Sequence, residues 1–353
     1  HEVIIDKETP FTDGSRMYVK EDEVFTVEQL LHALMIESAN DSAVALAKHI
    51  SGSVEEFANL MNKRAKELGA LNTNFTNPHG LPDKEHVTTA YDLAMIAKYA
   101  MTIPKFTEVV KTIRYQIPET EKTDEIRYFR NRNRLLWGTG PSNKMDYNGQ
   151  RVDIKYDIVD GIKTGYTTEA QQCLVSTASK DNRRVISVIL KAIRTNVYSD
   201  SRTLIDYGFD NFTEMNLINP GVVLKTVEVE NGVENALDLI TQDSISKIVQ
   251  NEYNKSDIEQ TIEVNPEIKA PINKGEVLGK VSYSLNGELI GETNLLAREF
   301  IDEKQIYKTV KKITSPTSMN AYKIVAGIIL LYIIWRTIVT IRRVRRKRRR
   351  WKW

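Results

Sequence analysis

The sequence predicts an α+β protein: an antiparallel sheet flanked by helices, then a smaller β-rich domain, then a C-terminal transmembrane helix. Three observations carry that prediction. Between Asp157 and Leu190, three runs rich in β-branched residues follow one another, the last two turned at Asp181-Asn182, and read as consecutive strands. Between Thr26 and Met101, capped apolar patterns of helical period dominate. From Ala321 to Ile341, 21 residues are apolar except for Tyr322, Lys323, Tyr332, Arg336 and two threonines. That length just spans a hydrocarbon core, which takes about 20 helical residues.

At 353 residues the chain exceeds one typical domain and is long enough for a full core. Its 41% hydrophobic and 27% charged residues describe a folding chain rather than a disordered one. The net charge of +2 conceals an asymmetry. Nine of the 49 basic residues lie after Ile341, leaving 40 before it against 47 acidic ones, so the body is acidic and only the tail is basic. The single cysteine, Cys173, excludes an intrachain disulfide and falls in an apolar strand pattern, where a buried core residue is expected rather than a reactive thiol. The chain starts at His1 with no signal-peptide pattern, and so reads as a mature form or a fragment.

In chain order, residues 1–25 read as loop, a short strand at Arg16–Val19 and an acidic turn. Thr26 with Gln29 forms a capping box for a helix running to about Ile36, with Leu30, Leu31, Leu34 and Met35 on its apolar face. Glu37-Ser38-Ala39-Asn40 ends that helix, and Asp41 or Ser42 is expected to cap the next. Ser38 and Asn40 thereby occupy a sharp interhelical connection. Further helices are expected over Val54–Leu68, stopped by Gly69, and from Thr89 through Met101. The rigid loop Asn77-Pro78-His79-Gly80-Leu81-Pro82-Asp83 lies between them. His79 and His86 have too few carboxylates or thiols around them to argue for zinc, and no metal or cofactor is expected. Tyr115–Asp157 is polar and mixed, and Tyr198–Tyr207 returns to helix.

The strand ending in Lys163-Thr164-Gly165-Tyr166 buries a cation and a hydroxyl beside a glycine. A glycine there lets a ligand backbone lie along the strand, while Lys163 and Thr164 offer charge and hydroxyl to an anionic end group. Taken alone, Lys163 is equally an edge-strand gatekeeper, Ser38 a helix cap and Asn40 a left-handed turn residue. Pro220-Gly221 marks a boundary, after which strand-like runs and the turn signals Asn231-Gly232 and Asn286-Gly287 give a β-rich domain. The expected layout is 1–215, 221–312, an anchor at 321–341 and a basic tail at 342–353. By the positive-inside rule the tail is cytoplasmic and the body outside. Because the tail abuts an apolar span, anionic lipid explains it more simply than nucleic acid.

Ser38-Ala39-Asn40 on a turn, Lys163-Thr164-Gly165 on a strand and a C-terminal anchor together resemble the D-alanyl-D-alanine carboxypeptidases, the low-molecular-mass penicillin-binding proteins. The stretches Leu34–Ile50, Asn77–Met101, Gly161–Ala178 and Asp206-Tyr207-Gly208-Phe209 are similar to that family in order, and the similarity covers nearly the whole chain. The resemblance implies a β-lactamase/transpeptidase-like domain, incomplete at its N-terminus, and a location in a bacterial cell membrane. It implies that a serine attacks the carbonyl between the two terminal D-alanines of a peptidoglycan stem peptide, forming an acyl-enzyme that water hydrolyses. In it Ser38 relays a proton, Asn40 bonds the substrate amide and Lys163 supplies positive potential. Thr164 holds the terminal carboxylate, and the Tyr166 backbone N–H is half of an oxyanion hole. A β-lactam would meet the same groups as a substrate mimic.

Two departures stand out. The family's Ser-x-x-Lys, expected ahead of Ser38, is missing. The sole match, Ser244-Ile245-Ser246-Lys247, lies in the second domain and reads as surface chemistry. Gln171 stands where the family usually has glycine, and a side chain there is expected to crowd the cleft rim. The chain is therefore expected to be an inactive fragment of a carboxypeptidase; the alternative is a silent, membrane-anchored homologue that binds peptidoglycan or scaffolds wall enzymes.

Overall fold

The computed structural model describes residues 1–252, 254–314 and 316–350, and divides into two compact units, His1–Thr213 and Glu214–Trp353. In the first unit, β1 (Glu2–Ile4) pairs antiparallel with β2 (Val24–Thr26). Thr26 then opens α1 (Val27–His32) through the expected capping box: its hydroxyl accepts from Gln29 N at 3.1 Å, and Gln29 Oε1 accepts from Thr26 N at 2.7 Å. The helix widens into a π-helical turn, Ala33–Glu37, and stops on Ser38, which is left-handed at φ +64°.

The next helix, α2 (Asn40–Ser51), has Ala39 at its N-cap, not Asp41 or Ser42 as expected. The Asp41 carboxylate is engaged elsewhere. Fully buried, it accepts from Met17 N at 3.1 Å and Val19 N at 3.2 Å. Arg16–Val19, expected as a strand, is consequently an irregular segment held by a side chain instead of a sheet partner. Asn40 is likewise no left-handed residue but the first of its helix.

Ser53 and Thr89 cap α3 (Val54–Glu67) and α4 (Ala90–Ala100), each accepting a backbone N–H at 3.1 Å. A helix without a sequence expectation, α5 (Pro104–Lys111), opens on proline, whose missing N–H costs nothing in a first turn. Two hairpins fill the polar stretch: β3 (Arg114–Ile117) with β4 (Arg127–Arg130), and β5 (Lys144–Tyr147) with β6 (Gln150–Asp153).

The expected three-stranded sheet follows as β7 (Val159–Thr167), β8 (Gln171–Lys180) and β9 (Arg183–Ala192), antiparallel in that order. Asp181 and Asn182, at φ +50° and +59°, make the two-residue turn whose twist matches the strands. One face of the sheet packs Leu174, Ala178 and Ile189 with Ile205 and Phe209 of α6 (Asn196–Asn211). Asp206 accepts from the Tyr156 hydroxyl at 2.5 Å and from the Tyr147 hydroxyl, fixing α6 beside β5. The opposite face is thinner: Ile162 is buried with Val110, Ala97 and Met101, but Val175 and Ile186 are only partly covered.

Seven strands come after α6: β10 (Phe212–Ile218), β11 (Val223–Glu228), β12 (Ala236–Thr241), β13 (Ile245–Gln250), β14 (Ile258–Val264), β15 (Val277–Leu285) and β16 (Glu288–Ala297). β10 pairs with β13, and the others form a sheet of order β11-β12-β16-β15-β14 around Leu237, Leu239, Val281 and Leu295. Asn286-Gly287 turns β15 into β16. Two helices close the described residues, α7 (Gln305–Thr314) and α8 (Pro316–Arg350). Among the described residues one stretch is long and apolar enough to cross a membrane, Lys323–Arg343, where Ile328, Leu331 and Trp335 stand exposed. Trp351, Lys352 and Trp353, the end of the basic tail, lie outside the described residues.

Candidate active site

A cleft of about 670 Å³ in the first unit has β7 as one wall and the turn at Ser38 as the other. The strand wall is a sheet edge: β8 pairs with β7 on one side, and among the described residues no strand pairs on the other. Its outward N–H and C=O groups are therefore available to an extended ligand. Lys163, Thr164, Gly165 and Tyr166 all line the cleft, the first two half-buried and the last two exposed. Below them the backbone is fixed at Gly161. A Cβ there would stand 2.8 Å from Val110 Cγ2, and the Gly161 carbonyl accepts from Asn133 Nδ2 at 3.1 Å.

The helical wall meets the strand wall through one bond. Lys163 Nζ donates to Ser38 Oγ at 2.8 Å and to the Thr164 carbonyl at 2.9 Å. Burial brings the Lys163 ammonium down to about 8, the Arg132 charge adds to that lowering, and Glu37 opposes it. Asn40 is buried; its Nδ2 donates to the Asp13 carbonyl at 2.7 Å and its N–H to the Ser15 carbonyl at 2.7 Å. The donor of its carboxamide thus holds the Asp13–Ser15 loop, and its Oδ1 accepts no bond among the described residues.

Arg132 crosses the rim, donating from Nη2 to Glu37 Oε1 at 2.5 Å and from Nη1 to Ser15 Oγ at 3.2 Å. Its backbone is set by two buried neighbours. Asn131 Nδ2 donates to the Val110 and Thr112 carbonyls at 3.1 and 2.9 Å, and Asn131 Oδ1 accepts from Asn133 N at 2.9 Å. On the third side, Asn77 Oδ1 accepts from Gly80 N at 2.7 Å and Nδ2 donates to the Leu81 carbonyl at 3.0 Å, which folds the loop so that His79 faces the cleft. Burial lowers the pKa of His79 and of His86. Among the described residues no three His, Cys, Asp or Glu side chains are grouped to hold a metal ion.

Residues 3–194 match the family model of the D-alanyl-D-alanine carboxypeptidases, and residues 212–303 match that of the penicillin-binding protein 5 C-terminal domain. The chain belongs to the D-alanyl-D-alanine carboxypeptidase family. It is 34% identical over 287 residues to D-alanyl-D-alanine carboxypeptidase DacF of Bacillus subtilis, covering 81% of this chain and 69% of that one. It is 30% identical over 302 residues to DacA of Haemophilus influenzae, covering 84% and 70%. Its fold matches penicillin binding protein 5 of Haemophilus influenzae with a TM-score of 0.62 at 29% identity, covering 86% of this chain and 83% of that one. The fold is accordingly the α+β transpeptidase-like fold with a C-terminal β-rich domain.

Against that carboxypeptidase fold, two expectations need correction. Cys173 is half-buried rather than a core residue, because its cross-strand neighbour is Gly165, which has no side chain to cover it. Gln171 does not crowd the cleft: it is exposed, at φ +52°, and Gln172 lines the cleft instead. The family's usual glycine at this position would adopt that backbone without strain. Sequence reasoning missed Arg132, Ser15, Tyr198 and the inward face of His79. For Arg132 the available signal was its place between Asn131 and Asn133, two amides ahead of an apolar run. Ser15 carried none.

Proposed function

We propose that residues 1–353 form the recognition part of a serine-type D-Ala-D-Ala carboxypeptidase that trims peptidoglycan stem peptides in cell-wall biogenesis, and that the acylating Ser-x-x-Lys is not among them. The observation that carries this reading is the Lys163–Ser38 bond of 2.8 Å, which joins the two family motifs across a cleft with an open strand edge. A stem peptide ending in D-Ala-D-Ala lies along β7, its terminal carboxylate at Thr164 in the field of Lys163. The scissile carbonyl faces the Tyr166 N–H, and the upstream amide faces Asn40. β-Lactams, whose carboxylate and amide present the same groups, occupy the same place.

In turnover, a serine outside these residues adds to the carbonyl, its proton passes by way of Ser38 to the leaving D-alanine amine, and water cleaves the ester. The Ser244–Lys247 match lies at the surface of the second unit, Ser244 exposed and Lys247 3.8 Å from Glu288. The domain layout is 1–215, 221–312, 321–341 and 342–353. The apolar helix crosses a bacterial membrane with the body outside, and the basic tail meets anionic lipid on the cytoplasmic side.

Calorimetry with an acetylated tripeptide ending in D-Ala-D-Ala tests the reading. Reversible binding that is lost in Lys163→Ala is expected; no binding to the unaltered chain would contradict it. The coding sequence upstream of His1 separates a carboxypeptidase, which carries Ser-x-x-Lys and an export signal there, from a silent scaffold, which does not.

A further inference from the structure

We infer that Glu37 is a built-in competitor for the ligand carboxylate: it occupies Arg132 at the cleft rim and so sets how strongly the site prefers anionic peptide ends. The inference rests on the recognition reading above and concerns a residue to which that reading gives no role. Arg132 lines the cleft and, among the described residues, is one of two Lys or Arg side chains that do so, with Lys163. Its guanidinium presents a planar fork suited to hold one carboxylate by two parallel bonds. One prong already holds Glu37 at 2.5 Å and another rests on Ser15 at 3.2 Å. A ligand carboxylate drawn toward Lys163 and Arg132 therefore meets a guanidinium carrying a carboxylate of this chain.

The position of the competitor is fixed by local structure. Glu37 ends the π-helical turn, one residue before the left-handed Ser38 that bonds Lys163. Arg132 cannot swing away at its backbone, because Asn131 and Asn133 on either side are buried and bonded. Both members of the pair keep partly solvated side chains, 45% exposed for Arg132 and 29% for Glu37. Such a pair is weak enough to exchange for a ligand and strong enough to weaken binding several-fold. Glu37 also shapes the second cation, since its charge holds the Lys163 pKa up while Arg132 pushes it down. Removing Glu37 thus frees one cation and shifts the other.

The experiment uses the full chain in detergent, and two probes: an acetylated tripeptide ending in D-Ala-D-Ala and the same peptide with a C-terminal amide. In Glu37→Gln the free-acid peptide binds about fivefold tighter at pH 7, while the amide peptide is unchanged. In the double variant with Arg132→Gln the fivefold gain disappears. Glu37→Ala gives the same direction as Glu37→Gln and stands in if the glutamine variant is misfolded. The Lys163 titration followed by NMR moves to lower pH in both Glu37 variants, which a purely structural role for Glu37 does not produce. Equal affinity for the free acid in the unaltered chain and both Glu37 variants overturns the inference and leaves the recognition reading standing. A gain that persists without Arg132, or that applies equally to the amide, also overturns it. Failure of every variant and of the unaltered chain to bind the free acid overturns both.

Discussion

The two walls of the cleft are held in different ways. The strand wall is placed by the β7–β8 ladder, in which each residue from Gly161 to Thr167 has a backbone partner on β8. The helical wall has no ladder. Side chains hold it: Asp41 accepts from the Met17 and Val19 N–H groups and Asn40 donates to the Asp13 carbonyl, while Arg132 reaches two other side chains, Ser15 and Glu37. A ladder shares its load over many bonds and resists single side-chain changes, whereas a side-chain clamp fails when one residue is removed. The strand wall is thus a rigid template, and the helical wall is where substitutions can tune or break the site.

The largest effect is expected on the helical wall. Asp41→Ala leaves three buried N–H groups, those of Met17, Val19 and Ser42, without their acceptor and should cost about 3 kcal/mol in denaturant unfolding, since each orphaned donor costs ~1–3 kcal/mol. Hydrogen exchange at Met17 and Val19 should rise with it. On the strand wall the sensitive position is a backbone contact. Gly161→Ala drives a Cβ to 2.8 Å from Val110 and should cost about 2 kcal/mol by overpacking. Stability of Gly161→Ala equal to that of the parent would contradict the close approach of β7 to α5.

The bond between the walls titrates. Lys163 loses its proton near pH 8 in the fold, against 10.5 in the unfolded chain. Between those values the unfolded chain binds more protons than the native one, so the Lys163 contribution makes stability rise with pH. Affinity for a carboxylate peptide should fall over the same interval, as the native ammonium becomes neutral. The loss should move to higher pH in Arg132→Gln, because a neighbouring positive charge is gone. The smallest effect lies at the rim: Gln171→Gly relieves a left-handed backbone at φ +52° and should stabilise by roughly 0.5 kcal/mol.

The same contrast explains what was legible in the sequence. Lys163-Thr164-Gly165-Tyr166 is contiguous, lies on a strand with a strong period and ends up on one wall, so its elements and their order were readable from residues alone. Thr26 with Gln29, Ser53 and Thr89 were readable because a cap is a local event. The helical wall is assembled from residues 13–15, 38–41, 77–81 and 132, which no period connects. Asp41 has the chemistry of a helix cap and was expected as one; its burial against a loop 22–24 residues earlier is a tertiary event that overrides local preference. Arg132 lies in a polar, mixed stretch, where a charged residue is ordinarily solvated. The placement of its backbone by Asn131 and Asn133, with its own N–H donating to the Ile36 carbonyl at 3.2 Å, turns it into the cleft.

Covalent labelling by a fluorescent penicillin, followed by mass mapping of the adduct, is the most direct test of the proposal that residues 1–353 recognise without acylating. No adduct should form on this chain, while the D-Ala-D-Ala tripeptide still binds reversibly. A penicilloyl ester on any serine between His1 and Trp353 would contradict it and place the nucleophile within these residues.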